Sequence, residues 1–183
     1  MKKQPEVTMK TRQNFVDAFW ELIKEKPLNK ITVGELTRRA GYNRSTFYEY
    51  FMDTDDLLSY VENELLEQLK EPLLEAMPEN ASLETMFRIV FETMNEKIYL
   101  IIGSKGDPTF LPKVRAELLP IVQNYFPIPS DLPEFDYLIC FANSAMFALM
   151  QRWNEQGKDL STEEMSKLIQ DLVLRGLTSR IDL

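Results

Sequence analysis

Residues 43–50 concentrate hydrogen-bonding side chains in one short stretch, which reads NRSTFYEY. Arginine can donate two parallel hydrogen bonds to the edge of a guanine, and short hydroxyl side chains can contact bases or the methyl group of thymine. Tyrosine hydroxyls at the margin of such a surface can reach phosphate oxygens. The stretch therefore carries side chains suited to the recognition of double-stranded DNA.

Residues for catalysis or metal binding are scarce. The chain has no histidine and a single cysteine, Cys140, which removes the most frequent general base and most zinc ligand sets. The glycines of residues 103–106 lack the spacing of a nucleotide-binding loop. Asp53, Asp55 and Asp56 lack the central glycine and the terminal glutamate of a calcium loop. We expect no catalytic residue, no metal and no cofactor, and therefore no enzyme.

Two short helices joined by a tight turn are predicted to position residues 43–50. Thr32 and Glu35 have the spacing of a capping box, which opens the first helix. Gly41 ends that helix, because glycine readily adopts the left-handed conformation needed there. Asn43 caps the second helix, which is expected to continue to about Phe51. This order of elements is typical of a helix-turn-helix motif.

Apolar spacing indicates which face of the second helix is available. Phe47 and Phe51 lie four residues apart and are expected to pack inward against the first helix of the chain. This orientation leaves the polar side chains facing outward, namely Arg44, Ser45, Thr46 and Tyr48. A helix that presents such a face can enter the major groove of DNA.

Charge is distributed unevenly along the chain. The net charge is −8, but residues 1–52 carry +4 and residues 53–183 carry −12. Arg38 and Arg39 are expected to attract phosphate, and Thr32 adds a hydroxyl beside the free amides of a helix start. A small basic head on an acidic body is the pattern expected of a local phosphate-facing surface, although helical segments can also differ this much by chance.

Helical spacing also dominates outside this motif. Apolar residues recur at three- and four-residue intervals from about residue 9 to 26. Asp53 caps a long connecting helix, and Pro72 is expected to mark its end. No segment alternates in the manner of a β-strand. The pattern predicts an all-α protein.

Further helices are predicted in the second half of the chain. Ser82 caps a helix that is expected to include Ile98, and Pro120 is expected to interrupt the chain. A long helix is predicted from about residue 133 to 156, and a capping box at Ser161 opens the last one. The most apolar stretch, residues 135–150, is too short for a membrane span. No membrane partner is expected, and the start of the chain lacks a secretory signal, which favours the cytoplasm.

The string from Ile31 to Phe51, followed by residues 53–57, resembles the amino-terminal domain of the TetR (Tet-repressor) family of transcriptional regulators. The resemblance covers about residues 10–60. It implies a three-helix helix-turn-helix DNA-binding domain at residues 1–52, joined by a long helix to a helical ligand-binding and dimerisation domain at residues 53–183. It also implies a homodimer whose paired recognition helices enter successive major grooves of a near-palindromic site.

The family pattern can be transferred position by position. Many members have lysine where this chain has Thr54 and histidine where it has Tyr50, and Glu49 adds an anion beside the recognition face. Including Asn43 as the helix cap, the DNA-binding residues implied are Thr32, Asn43, Arg44, Ser45, Thr46, Tyr48, Tyr50 and Thr54.

A small-molecule effector is implied to bind inside the helical body. The side chains expected to line its pocket are Phe87, Phe91, Met94, Phe110, Val114, Phe141, Met146 and Met150. Each of them also suits a plain hydrophobic core at helical spacing. Polar residues near these stripes could orient a ligand or simply face solvent, namely Glu92, Asn95, Tyr99, Asn143 and Gln151.

The last two long helices are implied to form the dimer interface. The residues expected there are Leu138, Ala142, Ala145, Leu149, Trp153, Leu168 and Leu172. The same apolar residues would serve equally in the core of a monomer. A dimer is favoured because one short recognition helix rarely binds DNA tightly alone.

The predicted function is a ligand-responsive, dimeric, DNA-binding regulator, with repression favoured. The sequence leaves open whether transcription falls or rises, which effector acts and which operator is bound. The alternative is a helical small-molecule-binding or protein-interaction module that does not bind DNA. Glu49 and Thr54 motivate this alternative, because neither supplies a positive charge at the recognition face.

Overall fold

The computed structural model describes residues 5–77, 82–125 and 131–174. Within these ranges the chain forms helices and contains no β-strand, so the all-α prediction is confirmed. None of the helices in the described ranges is long and apolar enough to cross a membrane. The α-helices are α1 (Pro5–Glu25), α2 (Val33–Ala40), α3 (Arg44–Tyr48), α4 (Thr54–Ala76), α5 (Leu83–Thr93), α6 (Glu96–Ile102), α7 (Phe110–Tyr125), α8 (Phe135–Glu155) and α9 (Thr162–Ile169).

Two compact units make up the chain. The first consists of Met1–Leu66 and Glu96–Phe110, and the second of Glu67–Asn95 and Leu111–Leu183. The first unit thus contains α1, α2, α3, the first part of α4, and α6. The second contains the remainder of α4, α5, almost all of α7, α8 and α9. A short 3₁₀ turn, Leu28–Lys30, joins α1 to α2.

Aromatic packing holds the first unit together. Phe15 of α1 is fully buried, and its ring contacts four other aromatic rings. Two of them, Phe47 and Phe51, are buried as their spacing predicts. Edge-to-face packing of Phe15 on Phe47, with ring centroids 5.2 Å apart, fixes α3 against α1. The short helix α3 therefore gains its position from tertiary contacts, because five residues form no stable helix alone.

The second unit has its own apolar core. Phe91 of α5 packs against Trp153 of α8 with ring centroids 5.9 Å apart. The indole Nε1 of Trp153 donates to the carbonyl oxygen of Leu160 over 2.9 Å, so the polar end of this buried ring is satisfied. Met150 and Ile169 are fully buried in the same unit.

Prolines do not end the helices in which they occur. Pro72 lies inside α4 and Pro120 inside α7, contrary to the expected breaks. A proline removes one backbone hydrogen bond, but Leu73 and Ile121 are buried directly after the two prolines. Burial of the apolar side chains that follow each proline stabilises the helix and offsets the missing backbone hydrogen bond.

Two helix ends also differ from expectation. The segment expected as one helix from Ser82 through Ile98 is divided, because Met94 adopts an extended conformation and a separate helix, α6, follows Asn95. Asparagine is a residue that favours helix starts. The recognition helix is shorter than expected and ends at Tyr48.

Candidate nucleic-acid interface

The turn between α2 and α3 is built as the sequence predicts. The Thr32 side chain accepts from the amide of Glu35, and the Glu35 carboxylate accepts from the amide of Thr32, which completes the capping box. Gly41 ends α2 with φ +77°, a left-handed conformation that a β-carbon disfavours. The Tyr42 hydroxyl accepts from Nδ2 of Asn14 over 3.0 Å and ties the turn to α1.

Asn43 organises the start of α3. Its Oδ1 accepts from the amide of Thr46 at 2.8 Å, from Oγ of Ser45 at 2.6 Å and from Oγ1 of Thr46 at 3.0 Å. Both hydroxyls donate to the same oxygen, and their lone pairs therefore stay free to accept. On the edge of DNA bases in the major groove, the matching donors are the amino groups of adenine and cytosine.

The outer face of α3 is polar and accessible. Arg44, Ser45 and Tyr48 are exposed, with 56% of Tyr48 open to solvent, while Phe47 between them is buried. Thr46 and Tyr50 are partly buried, and the Tyr50 ring packs 6.3 Å from Phe15. Of the remaining residues expected at DNA, the structure leaves Thr32 and Asn43 exposed and Thr54 partly buried.

Arg44 lies across α2, a contact that the sequence analysis missed. Its guanidinium covers the position where Gly34 has no side chain: a β-carbon built there would lie 3.0 Å from Nη2. Among the described residues no acceptor or anion pairs with Arg44. The available signal was a glycine in the first turn of α2, where the backbone does not require one.

Arg39 forms ion pairs with two glutamates of α1, contrary to the expectation that it attracts phosphate. Its guanidinium donates to Glu21 at 3.1 Å and to both oxygens of Glu25 at 2.9 and 3.0 Å. These hydrogen bonds raise the pKa of Arg39 and lower the pKa of Glu25. The two carboxylates balance its charge, so Arg39 contributes little to attraction for DNA.

The start of α4 is acidic and well capped. Oδ1 of Asp53 accepts from the amide of Asp56 at 2.9 Å, and Oδ2 of Asp56 accepts from the amide of Met52 at 2.8 Å. Acidic residues are favourable at this end of a helix dipole. Thr54 is the first residue of α4 and offers a hydroxyl without a charge.

The residues expected to line an effector pocket are divided between the two units. Buried members of the second unit are Phe87, Phe91, Met94, Val114 and Met150. Met146 is partly buried there, whereas Phe141 is 50% exposed. Phe110 is fully buried but belongs to the first unit.

Tyr99 differs from the other polar residues considered for the effector. Only 6% of it is exposed, and its hydroxyl has no hydrogen-bond partner among the residues that the structure describes. Burial raises the pKa of Tyr99 to about 12, because an apolar environment disfavours the charged phenolate. Of the remaining four, Glu92 is exposed, while Asn95, Asn143 and Gln151 are partly buried.

The residues expected at a dimer interface differ in exposure. Leu168 and Leu172 are exposed, whereas Leu138, Ala142, Ala145 and Leu149 are partly buried. Trp153 is buried in the core of the second unit, as described above. The large apolar side chains of α8 that are exposed are instead Tyr137 and Phe141.

A cleft of about 490 Å³ runs between α7 and α8 within the second unit. Its walls are mainly apolar and include Leu111, Pro112 and Leu119 of α7. Arg115 also lines the cleft, and its guanidinium pairs with Asp136 at 2.8 Å. No cluster of three or more side chains suited to a metal ion occurs in the described part of the chain.

Comparisons with known proteins agree with this geometry. A family model described as "Bacterial regulatory proteins, tetR family" matches residues 15–61, and one described as "Transcriptional regulator C-terminal region" matches residues 80–175. The HTH-type transcriptional regulator BetI of Escherichia coli is 27% identical over 88 residues, which are 46% of this chain and 45% of BetI. The chain covers less than half the length of the curated relatives it matches.

Solved structures share the fold. A TetR transcriptional regulator from Streptococcus agalactiae 2603V superposes with a TM-score of 0.70 at 24% identity, over 92% of this chain and 96% of that one. The TetR-like regulator LfrR from Mycobacterium smegmatis, in complex with proflavine, gives a TM-score of 0.56 at 21% identity, over 91% and 96%. Because the second family model alone spans more than half of the sequence, and the first covers the helix-turn-helix, the chain belongs to the TetR family of bacterial transcriptional regulators.

Proposed function

We propose that this protein is a homodimeric repressor that binds a near-palindromic DNA operator through α3 and is released when a small molecule binds its helical body. The face of α3 carries the proposal: Phe47 is buried on α1, while Arg44, Ser45 and Tyr48 are exposed together. Such a helix, braced by a second helix, is the arrangement that enters the major groove.

The proposal assigns DNA binding to residues 1–52, and effector binding and dimerisation to residues 53–183. It includes no catalytic step, since family and relatives are transcriptional regulators. The family matches support a regulator over a helical binding module without DNA binding. A bacterial operator-binding protein works where the chromosome lies, which is the cytoplasm.

Base recognition is assigned to three side chains of α3. Arg44 has free donors for the two acceptors of guanine, and Ser45 and Thr46 have free lone pairs for the amino group of adenine or cytosine. The residues assigned to phosphates or to the groove edge are Thr32, Asn43, Tyr48, Tyr50 and Thr54. The operator half-site is therefore expected to contain guanine beside adenine or cytosine.

The effector is assigned to the apolar interior of the second unit. Phe87, Phe91, Met94, Val114 and Met150 are buried there, and Met146 is partly buried. Methionine adapts its shape readily, which suits a site that takes aromatic or aliphatic molecules. The complex of LfrR with proflavine gives one fold neighbour that holds such a compound. Phe110 and Phe141 are left out of this assignment because of their placement.

Dimerisation is assigned to one face of α8 together with α9. Tyr137 and Phe141 are 79% and 50% exposed and lie one turn apart, and Ser144 and Ala148 continue the same exposed face. Small residues at those positions allow close approach of a partner helix. Leu168 and Leu172 add exposed apolar surface on α9 and the segment that follows it. Exposed apolar patches of this kind mark protein interfaces.

Selection from randomised duplexes and from genomic fragments tests the proposal. The wild type is expected to enrich a near-palindrome, and Arg44→Ala to bind it more weakly, while Arg88→Ala, an exposed arginine of the second unit, binds normally. Affinity should fall as salt rises, because bound lysine and arginine release counterions from DNA. A reporter under the selected operator then measures repression.

Effector release is tested on the same duplex. Metabolite fractions that raise the melting temperature of the protein are expected to weaken its binding to the selected operator. No enriched sequence and a flat salt response would contradict the DNA-binding function. Tight binding of a metabolite by a protein with no DNA affinity would favour the alternative module.

A further inference from the structure

Gly34 is the second residue of α2, and the backbone there does not require a glycine. Its φ is not in the left-handed region, unlike that of Gly41 at +77°. Glycine weakens a helix interior relative to other residues, because it loses the most conformational freedom on folding. Glycine has no special backbone role at this position, so the consequence of its missing side chain lies in what packs against it.

Arg44 occupies the space that a side chain at position 34 would fill. The three heavy atoms nearest to a β-carbon built on Gly34 all belong to the Arg44 guanidinium: Nη2 at 3.0 Å, Cζ at 3.8 Å and Nε at 3.9 Å. A contact of 3.0 Å is closer than ordinary packing permits, so a side chain there would displace the guanidinium. A β-carbon alone would require the guanidinium to move by a few tenths of an ångström, whereas a larger side chain at position 34 would take the place of the guanidinium on α2.

We propose that Gly34 is a specificity-determining position of the DNA-binding face, because it lets α2 hold the guanidinium of Arg44 ready for one base pair. The inference rests on the proposed DNA-binding function. A long arginine side chain loses rotamer freedom when it binds, and prior placement reduces that cost. The donors of Arg44 have no partner among the described residues and are available for the paired acceptors of guanine.

Arg39, the preceding arginine in the sequence, differs from Arg44 because it is ion-paired. Arg39 is held by Glu21 and Glu25 and is not available to a base. Arg44 is thus a free cation at the junction of α2 and α3, and its direction depends on the surface of α2 beneath it. A substitution at position 34 should therefore change the base preference of Arg44, although residue 34 is not assigned a DNA contact.

A series of variants tests the inference. Wild type, Gly34→Ala, Gly34→Leu, Arg44→Ala and Gly34→Leu/Arg44→Ala are each titrated with the duplex selected by the wild type and with all its single-base-pair variants. Alanine and leucine favour helices, so the substitutions at position 34 should not prevent folding. Far-ultraviolet circular dichroism and melting temperatures check that the head is intact.

Arg44→Ala is expected to reduce discrimination at one base pair of each half-site by about 5- to 150-fold. Gly34→Leu should reduce discrimination at that same base pair, and Gly34→Ala should do so to a smaller extent. In the Arg44→Ala background, Gly34→Leu should change discrimination by less than about twofold, because coupled residues do not act additively.

The inference is overturned if the two substitutions act additively, or if Gly34→Leu alters base pairs that Arg44→Ala leaves unchanged. An equal loss on every duplex would also overturn it, because Arg44 would then contact phosphate and carry no sequence preference. If the wild type selects no duplex at all, both the proposed function and this inference fail. If it selects one and the variants act additively, only this inference fails.

Discussion

The main-chain amide of Leu28 donates a hydrogen bond to the carbonyl oxygen of Lys105 over 2.8 Å. The ammonium group of Lys105 in turn donates to the carbonyl oxygen of Lys24 at 3.1 Å. An ion pair of 2.9 Å between Lys24 and Glu96 joins α1 to α6. These contacts bind the loop after α6 to the end of α1. The conformation of this loop is therefore part of the structure of the first unit.

Gly106→Ala is expected to distort this loop. A β-carbon at position 106 would lie 1.9 Å from the carbonyl oxygen of Ile101 and 2.5 Å from that of Leu100, so the main chain must move. We expect a loss of about 1–3 kcal/mol in the free energy of unfolding, as for other overpacked sites. Urea denaturation measures it, with Ser104→Ala as the exposed control. An unchanged midpoint would mean that the loop does not pack against Ile101.

Asn43→Ala is expected to weaken α3 and to release both neighbouring hydroxyls. Loss of the cap should cost about 1 kcal/mol of stability, and affinity for the selected operator should fall because Ser45 and Thr46 lose their common acceptor. Serine also caps helices, so Asn43→Ser should retain most of both properties. If Asn43→Ser loses affinity as fully as Asn43→Ala, the DNA contact assigned to Asn43 outweighs its role as the helix cap.

Phe141→Glu is expected to separate the proposed dimer. Burial of an unpaired carboxylate in an apolar interface costs several kcal/mol, which corresponds to at least about a 100-fold rise in the dissociation constant of the dimer. Sedimentation velocity over a concentration series measures this constant. Glu134→Gln, exposed just before α8, serves as the control. A variant that stays dimeric would place the interface elsewhere.

Tyr99→Phe is expected to remove a late step from the alkaline titration of tyrosine absorbance. Burial raises the pKa of Tyr99 to about 12 from an ordinary value of 10.0. The folded state therefore keeps its proton longer than the unfolded state, and stability falls as the pH rises from 10 towards 12. The variant should lack this component of the loss and, having no unpartnered hydroxyl, be at least as stable at neutral pH.

Tyr48→Phe provides the control for Tyr99, because Tyr48 is exposed. It should leave the late absorbance step in place. Persistence of that step in Tyr99→Phe would show that another tyrosine is responsible for it.

Glu35→Gln is expected to lower the stability of the fold above pH 4.5, and this difference from the wild type should disappear in acid. Hydrogen bonds from Lys26 and then from Thr32 hold the pKa of Glu35 below the model-peptide value of 4.5. A carboxylate with a lowered pKa in the folded state stabilises the fold above its unfolded pKa, and this contribution is lost as the pH falls. Urea midpoints across this range should converge for wild type and variant in acid. Glu163→Gln, at an exposed glutamate, serves as the control.

Local signals in the sequence predict the frame of the recognition motif. The capping boxes at Thr32 and Ser161, the left-handed Gly41 and the Asn43 cap are all observed. Each depends on partners within a few residues, so the sequence contains the whole interaction. The inward packing of Phe47 follows equally from helical spacing.

Contacts between distant residues could not be predicted in this way. Arg39 meets Glu21 and Glu25 across 18 and 14 residues, and Arg44 meets Gly34 only because α2 and α3 cross. Both contacts are set by how the helices pack. The prolines in α4 and α7 are another example. A proline locally disfavours a helix, but burial of the side chains that follow it depends on distant residues and outweighs this effect.

The apolar stripes of the second unit present a related ambiguity. Spacing indicates that Phe141 and Trp153 lie on apolar faces, but not whether a face meets its own core or solvent. The structure leaves Phe141, expected in the effector pocket, half exposed, and it buries Trp153, expected at the dimer interface. Periodicity alone does not contain this information, because an obligate dimer interface resembles a domain core in its apolar composition.

The ion pairs of Arg39 bear on how such a protein finds its target among millions of base pairs. Adhesion to arbitrary chromosomal sequence grows with every cation that can neutralise a phosphate. With Arg39 satisfied by Glu21 and Glu25, that adhesion is weaker. Fewer protein molecules are then bound at nonspecific sites on the chromosome. A small number of molecules per cell therefore suffices to keep the operator occupied.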